Sequence, residues 1–248
     1  MIYDSIFRLQ KNVCLARHFH LFRKVCCLFQ SCDHTDSTHL QQAQLLEARD
    51  TNCIDIWPLN FFNPQNNGID NCWLFMMQLA CILHMVPGWK KATTVRVFMC
   101  VDSKVRDASL IHRNWEQMLQ MLRIEATIHV VIWDHVTSPL DLDEPNVQFA
   151  TASDLSSGID DSFRSRDSIS TERRHFPLNA NDDNFLKNVN TMIQEHSNST
   201  AVVFMYLPMP STYKQERKHY LQRLDTLTAN LPPTLLVHGI SPVTSITL

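Results

Sequence analysis

Thr93-Thr-Val-Arg-Val-Phe-Met-Cys-Val-Asp102 is a β-rich run, and its reading decides the rest of the chain. β-Branched and aromatic residues dominate it, the types that fit a pleated and half-buried surface. A helical pattern follows from about Arg106 to Leu122. There Leu110, Trp115, Met118, Leu119 and Leu122 form an apolar stripe, while Arg106, Arg113, Glu116, Gln117 and Arg123 are left for water. Ala126-Thr-Ile-His-Val-Val-Ile-Trp133 is a second apolar run, nearly continuous, as expected of a parallel strand covered on both faces. Strand, helix and strand within about forty residues predict one βαβ unit.

Towards the C-terminus the alternation continues. Phe185, Val189, Met192 and Ile193 give a helix face once order resumes at Asp183. Thr200-Ala-Val-Val-Phe-Met-Tyr-Leu207 is a third strand, ended by Pro208 and Pro210. Ser211 is placed to cap a helix from about Tyr213 to Ala229, with Tyr220, Leu224 and Leu227 inward. Pro232-Pro233 breaks it, and Thr234-Leu-Leu-Val-His238 is the last strand. Right-handed crossovers place helices on both faces of such a sheet. Between these elements, about 140–182 is acidic and then rich in Ser, Asp and Arg, and it reads as a disordered insertion.

Towards the N-terminus, Asn71 to Met85 is a helix with almost every position apolar, capped by Asp70 and stopped by Pro87 and Gly88. Such a helix is buried on most sides. Cys53-Ile-Asp-Ile-Trp57 reads as a strand ended by Pro58. A short helix over Tyr3 to Leu9 and a strand over Val13 to Phe19 start the chain without an opening strand. The fold class is therefore α/β: a mostly parallel open sheet with helices on both faces, preceded by a partial first α/β lobe. The division expected is 1–60 for the partial lobe, 61–93 for the buried apolar helix and its connector, and 94–248 for the second lobe.

Composition narrows the chemistry. The 248 residues carry 22 basic and 25 acidic side chains, a formal charge of -3 that offers no nucleic-acid footprint. The eight cysteines contain no Cys-x-x-Cys pair, and four of them lie in or beside apolar runs, the pattern of reduced thiols rather than a disulfide framework. The N-terminus lacks the basic and apolar regions of a signal peptide. The longest apolar run, Trp73 to Val86, is interrupted by Gln78 and His84, and it falls short of the roughly 20 residues a membrane span needs. With only four glycines, no phosphate-cradling turn is present, so no nucleotide cofactor is implied. His18 and His20 near Cys26, Cys27 and Cys32 lack the tight paired spacing of a zinc site.

Three sets of candidate residues remain. Asp102 and His135 each end a parallel strand, where open α/β folds bind ligands, although an Asp there also serves simply to cap the next element. Ser168 and Ser170 lie in an Arg-bearing loop, where phosphate would find Arg164 and Arg166 nearby. Trp73, Phe75 and Met76 of the apolar helix are candidate interface residues for a partner. A nucleophile elbow of the Gly-x-Ser-x-Gly kind is absent, and nothing else points to an enzyme.

Four segments in order carry a family resemblance. Leu9-Gln-Lys-Asn-Val-Cys-Leu-Ala-Arg-His-Phe19, Ile54-Asp-Ile-Trp57 followed by a helix opening at Trp73-Leu74, Trp89-Lys-Lys-Ala-Thr-Thr-Val-Arg-Val-Phe98, and Tyr220-Leu-Gln-Arg-Leu-Asp-Thr-Leu-Thr228 with Pro233-Thr-Leu-Leu-Val-His-Gly239 together resemble the cytosolic C-terminal domain of the cation-chloride cotransporters, solute carrier family 12. The closing segment looks most like the cotransporter-interacting branch of that family. Asn66-Asn-Gly-Ile-Asp70 is only a partial version of the family's acidic-glycine turn, and Val237-His-Gly-Ile-Ser-Pro242 replaces its glycine-rich final turn. The resemblance implies a regulatory and dimerising domain beneath membrane helices that move chloride with cations, potassium among them. It also implies a second copy or another cotransporter as partner, and regulatory kinases. The ion sites of such carriers lie in membrane helices, so no ion ligand is assigned here. The alternative reading is a stress-protein-like module that binds a small ligand near Asp102 and His135.

Overall fold

The computed structural model describes residues 2–22, 53–62, 64, 69–103, 108–137, 181–198, 200–210 and 214–241. Six strands form one sheet: β1 (Val13–Arg17), β2 (Cys53–Trp57), β3 (Thr94–Val101), β4 (Thr127–Ile132), β5 (Thr200–Tyr206) and β6 (Thr234–His238), in the order β1-β6-β5-β2-β3-β4. β2 to β6 are parallel and β1 alone runs antiparallel, against β6. The mostly parallel α/β sheet expected from the sequence is the observed one. Strands from 1–60 and from 94–248 share it, with β1 at one edge and β2 in the middle.

The described helices are α1 (Ile2–Phe7), α2 (Asn71–Met85), α3 (Pro87–Ala92), α4 (Ala108–Met121), α5 (Asp134–Thr137), α6 (Asn181–His196) and α7 (Lys214–Thr228), with a 3₁₀ turn over Phe19–Leu21. Strand side chains alternate between two cores. Ile54, Ile56, Val95, Val97, Val202 and Phe204 meet α2 and α4 on one face. Trp57, Phe98, Val131, Val203 and Met205 meet α6 and α7 on the other. Both faces are therefore covered, as right-handed crossovers require.

Local chemistry explains the element ends. The Asp70 carboxylate accepts the Trp73 amide at 2.7 Å and caps α2. Pro87 does stop α2, but it also opens α3, where its missing N–H costs nothing and its fixed φ suits the first helical position. Asn12 ties β1 to the exit of β6: its Oδ1 accepts the amides of Ile240 (2.7 Å) and Ser241 (3.2 Å), and its Nδ2 donates to the Ser241 carbonyl (3.0 Å). Asn190, buried in α6, donates to the carbonyls of Leu227 and Ala229 and so closes the C-terminal end of α7.

Two expectations are corrected. β4 is not covered on both faces: it is an edge strand, and Val130 and Ile132 are 45 % and 62 % exposed. The apolar stripe of α4 holds at Trp115, Met118 and Leu119 but not at its two ends. Ile111, Trp115, Met118 and Leu119 are buried, while Leu110 and Leu122 face out. The i, i+4, i+7, i+8 set is the one that fits a single helix face. α6 begins at Asn181, within the expected insertion, whose other residues from 140 to 180 lie outside the described residues. The expected cap at Ser211 also lies outside them.

Candidate functional site

β3 and β4 are register neighbours, so Asp102 and His135 follow adjacent parallel strand ends. The structure brings their backbones to one rim, and the chemistry there is modest. Asp134 Oδ1 accepts the Ser103 amide at 2.8 Å, which clips the loop after β3 to the start of α5. That is a capping role for a strand-end aspartate. Asp102 is half-buried and His135 is exposed.

In an open α/β sheet the ligand crevice lies where strand order reverses, here between the carboxyl ends of β5 and β2. The chain's own side chains occupy it. Tyr206 donates its hydroxyl to Asp70 Oδ1 at 2.6 Å, on the same carboxylate that caps α2. Burial first, then the Asp70 charge, holds the Tyr206 phenol far above its ordinary value. The carboxylate thus takes the place at the helix N-terminus where a bound anion would sit. Next to it Gly239 packs so closely on α2 that an added Cβ would lie 2.5 Å from Phe75 Cβ.

Trp73, Phe75 and Met76, expected as interface residues, are 2 %, 6 % and 0 % exposed within this chain alone. Trp73 packs edge-on against Trp115 of α4, with ring centroids 6.1 Å apart. They build the core of this chain. The near-continuous apolar pattern of α2 does not mark which side the sheet covers. Ser168 and Ser170 lie outside the described residues.

A polar cluster that the sequence reading passed over lies at the amino end of the sheet. Asp55, in the middle of β2, is wholly buried. Arg96, its register partner on β3, grips it with two bonds of 2.7 Å. Thr200 Oγ1 donates to the same carboxylate, and Arg96 reaches the His196 carbonyl at 3.3 Å. Above the pair, Trp57, Phe98 and His129 stack across β2, β3 and β4, at 4.3 Å and 5.4 Å between ring centroids. Burial first, then the nearby Arg96, lowers the His129 pKa. A charged residue of opposite sign in the middle of each of two apolar strands was the available signal. The arrangement has the form of a structural ion pair, with every partner accounted for.

A cavity of about 640 Å³ opens near the amino ends of β5 and β6, lined by Gln194, Asn198, Thr200, Asn230, Pro232 and Pro233 among others. Gln194 spends its amide on Asn190 and the Ala229 carbonyl. Among the described residues no group of three or more His, Cys, Asp or Glu is placed to hold a metal ion. The described cysteines are free thiols. Burial pushes Cys72 up to about 12 and Cys81 up to about 11, so neither is a thiolate nucleophile near neutral pH. No described helix is long and apolar enough to cross a membrane.

Comparison with known proteins supplies what the site geometry does not. The family description "Solute carrier family 12" matches residues 24–244. The chain belongs to solute carrier family 12. Among its relatives, solute carrier family 12 member 9 of Danio rerio is 33 % identical over 247 residues, covering 98 % of this chain and 22 % of that protein. The Xenopus laevis protein of the same name is 32 % identical over 252 residues, covering 98 % and 23 %. The human one is 28 % identical over 211 residues, covering 77 % and 20 %. The chain thus spans about a fifth of the length of these family 12 relatives. The matched region takes in the whole sheet except β1.

Proposed function

We propose that this chain is the cytosolic regulatory and dimerising region of a cation-chloride-cotransporter-like carrier. The observation that carries the reading is the family match over 24–244 in a chain that spans about a fifth of its relatives, with no described helix fit to cross a membrane. The parent protein would move chloride with cations such as potassium, or modulate another carrier that does. Its membrane helices would hold the ion sites, and this region would lie on the cytosolic side. Phosphorylation at Ser168 and Ser170 by regulatory kinases belongs to the same proposal.

Among the described residues no strand pairs with the outer edge of β4, which supports an assembly role. Thr127–Ile132 contains no charged residue and no proline, the two devices that usually keep an edge strand from pairing. Size-exclusion chromatography with light scattering tests this. A dimer that Val130→Lys converts to a monomer is the expected result; a strictly monomeric species at high concentration would refute the assembly role. A second reading keeps Asp102 and His135 as a small-ligand site, because they follow adjacent parallel strand ends. A thermal-shift screen with nucleotides and anions tests it, and no stabilisation by any of them removes it.

A further inference from the structure

The helices α2 and α4 each return from the carboxyl to the amino ends of the parallel strands, and they pack on the same face of the sheet. Their last turns therefore reach the same rim. There Ile82, Met85 and Val86 are 48 %, 73 % and 46 % exposed, and Met121 and Leu122 are 47 % and 36 % exposed. Lys90 and Lys91 of α3 and Arg123 after α4 are exposed alongside them. Segments 82–94 and 121–127 contain one acidic residue, Glu125. Exposed apolar side chains interleaved in sequence with lysine and arginine, and with one acidic residue in these segments, have the chemistry of a surface that sits on anionic lipid headgroups. Long basic side chains can lie along an apolar patch while their charges stay at headgroup level. A second copy is disfavoured, since a two-fold contact here would set Lys90 and Lys91 against like charges.

We propose that this amino-terminal rim of the α2/α4 layer docks on an anionic bilayer surface, with Ile82, Met85 and Val86 entering the interface and Lys90, Lys91 and Arg123 meeting the headgroups. The binding is peripheral and reversible. It is independent of the assembly role proposed for β4, because one test reads lipid binding and the other reads mass.

The experiment is vesicle flotation of the full chain, with phosphatidylcholine alone and with roughly a third phosphatidylserine. Binding is expected only to the anionic vesicles, and it weakens as salt screens the charges. Lys90→Gln and Lys91→Gln are each expected to weaken binding about fivefold, the effect of one basic residue near an anionic surface. Met85→Ser with Val86→Ser lowers it further, while Lys187→Gln on the exposed side of α6 leaves it unchanged. An unchanged urea midpoint in each variant keeps loss of binding separate from loss of fold. Equal binding to both vesicle types, no binding to either, or rim variants that behave like Lys187→Gln would overturn the proposal. So would a dimer, seen by light scattering, that Met85→Ser with Val86→Ser dissolves while vesicles remain unbound.

Discussion

Arg96→Met tests the ion pair at the centre of the sheet. Asp55 is wholly buried, and it receives two 2.7 Å bonds from the guanidinium. Removing Arg96 leaves a buried carboxylate with the Thr200 hydroxyl as its remaining described donor. Breaking a buried pair by deleting one partner costs about 3–5 kcal/mol, because the surviving charge stays desolvated. The Arg96 side chain is itself 21 % exposed, so the lower half of that range is expected. With an m-value of roughly 3 kcal/mol/M, a loss of about 3 kcal/mol lowers the urea midpoint by about 1 M. The double variant Asp55→Asn with Arg96→Met removes the orphaned charge and is expected to recover at least half of the loss. Urea unfolding followed by tryptophan fluorescence reads both. A single-variant cost below about 1 kcal/mol, or a double-variant cost equal to the sum of the two singles, would refute the reasoning.

Burial lowers the pKa of His238 in the folded chain, against a smaller opposing pull from Asp70. A base with a depressed folded value binds more protons when unfolded, so stability is complete above the ordinary imidazole value of 6.5 and is lost as pH falls below it. The urea midpoint is expected to drop between pH 7.5 and 5.5, and His238→Gln to flatten that drop. Gly239→Ala forces a Cβ to within 2.5 Å of Phe75 Cβ, an atom too close to the α2 backbone to move aside. Thermal unfolding is expected to show a loss of about 1–3 kcal/mol. Asp70→Ala removes the α2 cap and the acceptor of the Tyr206 hydroxyl together. It is expected to cost about 2 kcal/mol, about double the cost of Tyr206→Phe, by chemical denaturation.

The fold was legible where one element carries its own signal. The βαβ unit, the mostly apolar helix 71–85 with its Asp70 cap, and the inward Tyr220, Leu224 and Leu227 all stand as read. Strand order was not legible, because pairing depends on contacts between segments far apart in the chain. β4 shows why. Val130, Val131 and Ile132 are the residues of a covered strand, yet the position at the edge leaves two of them exposed. The same limit holds for Trp73, Phe75 and Met76: an apolar helix looks alike whether the chain or a partner covers it. The Asp55–Arg96 pair needed the β2–β3 register before its two charges could be seen to meet. Asp102 and His135 follow neighbouring strand ends, while the crevice beside β5 holds Tyr206 and Asp70.

The most direct test of the account is to sequence the source transcript upstream of the Met1 codon. An open frame that continues into a series of apolar segments, each about 20 residues long, is the predicted result. It would make this region the cytosolic part of a family 12 carrier. A transcript that begins translation at Met1 would contradict that claim.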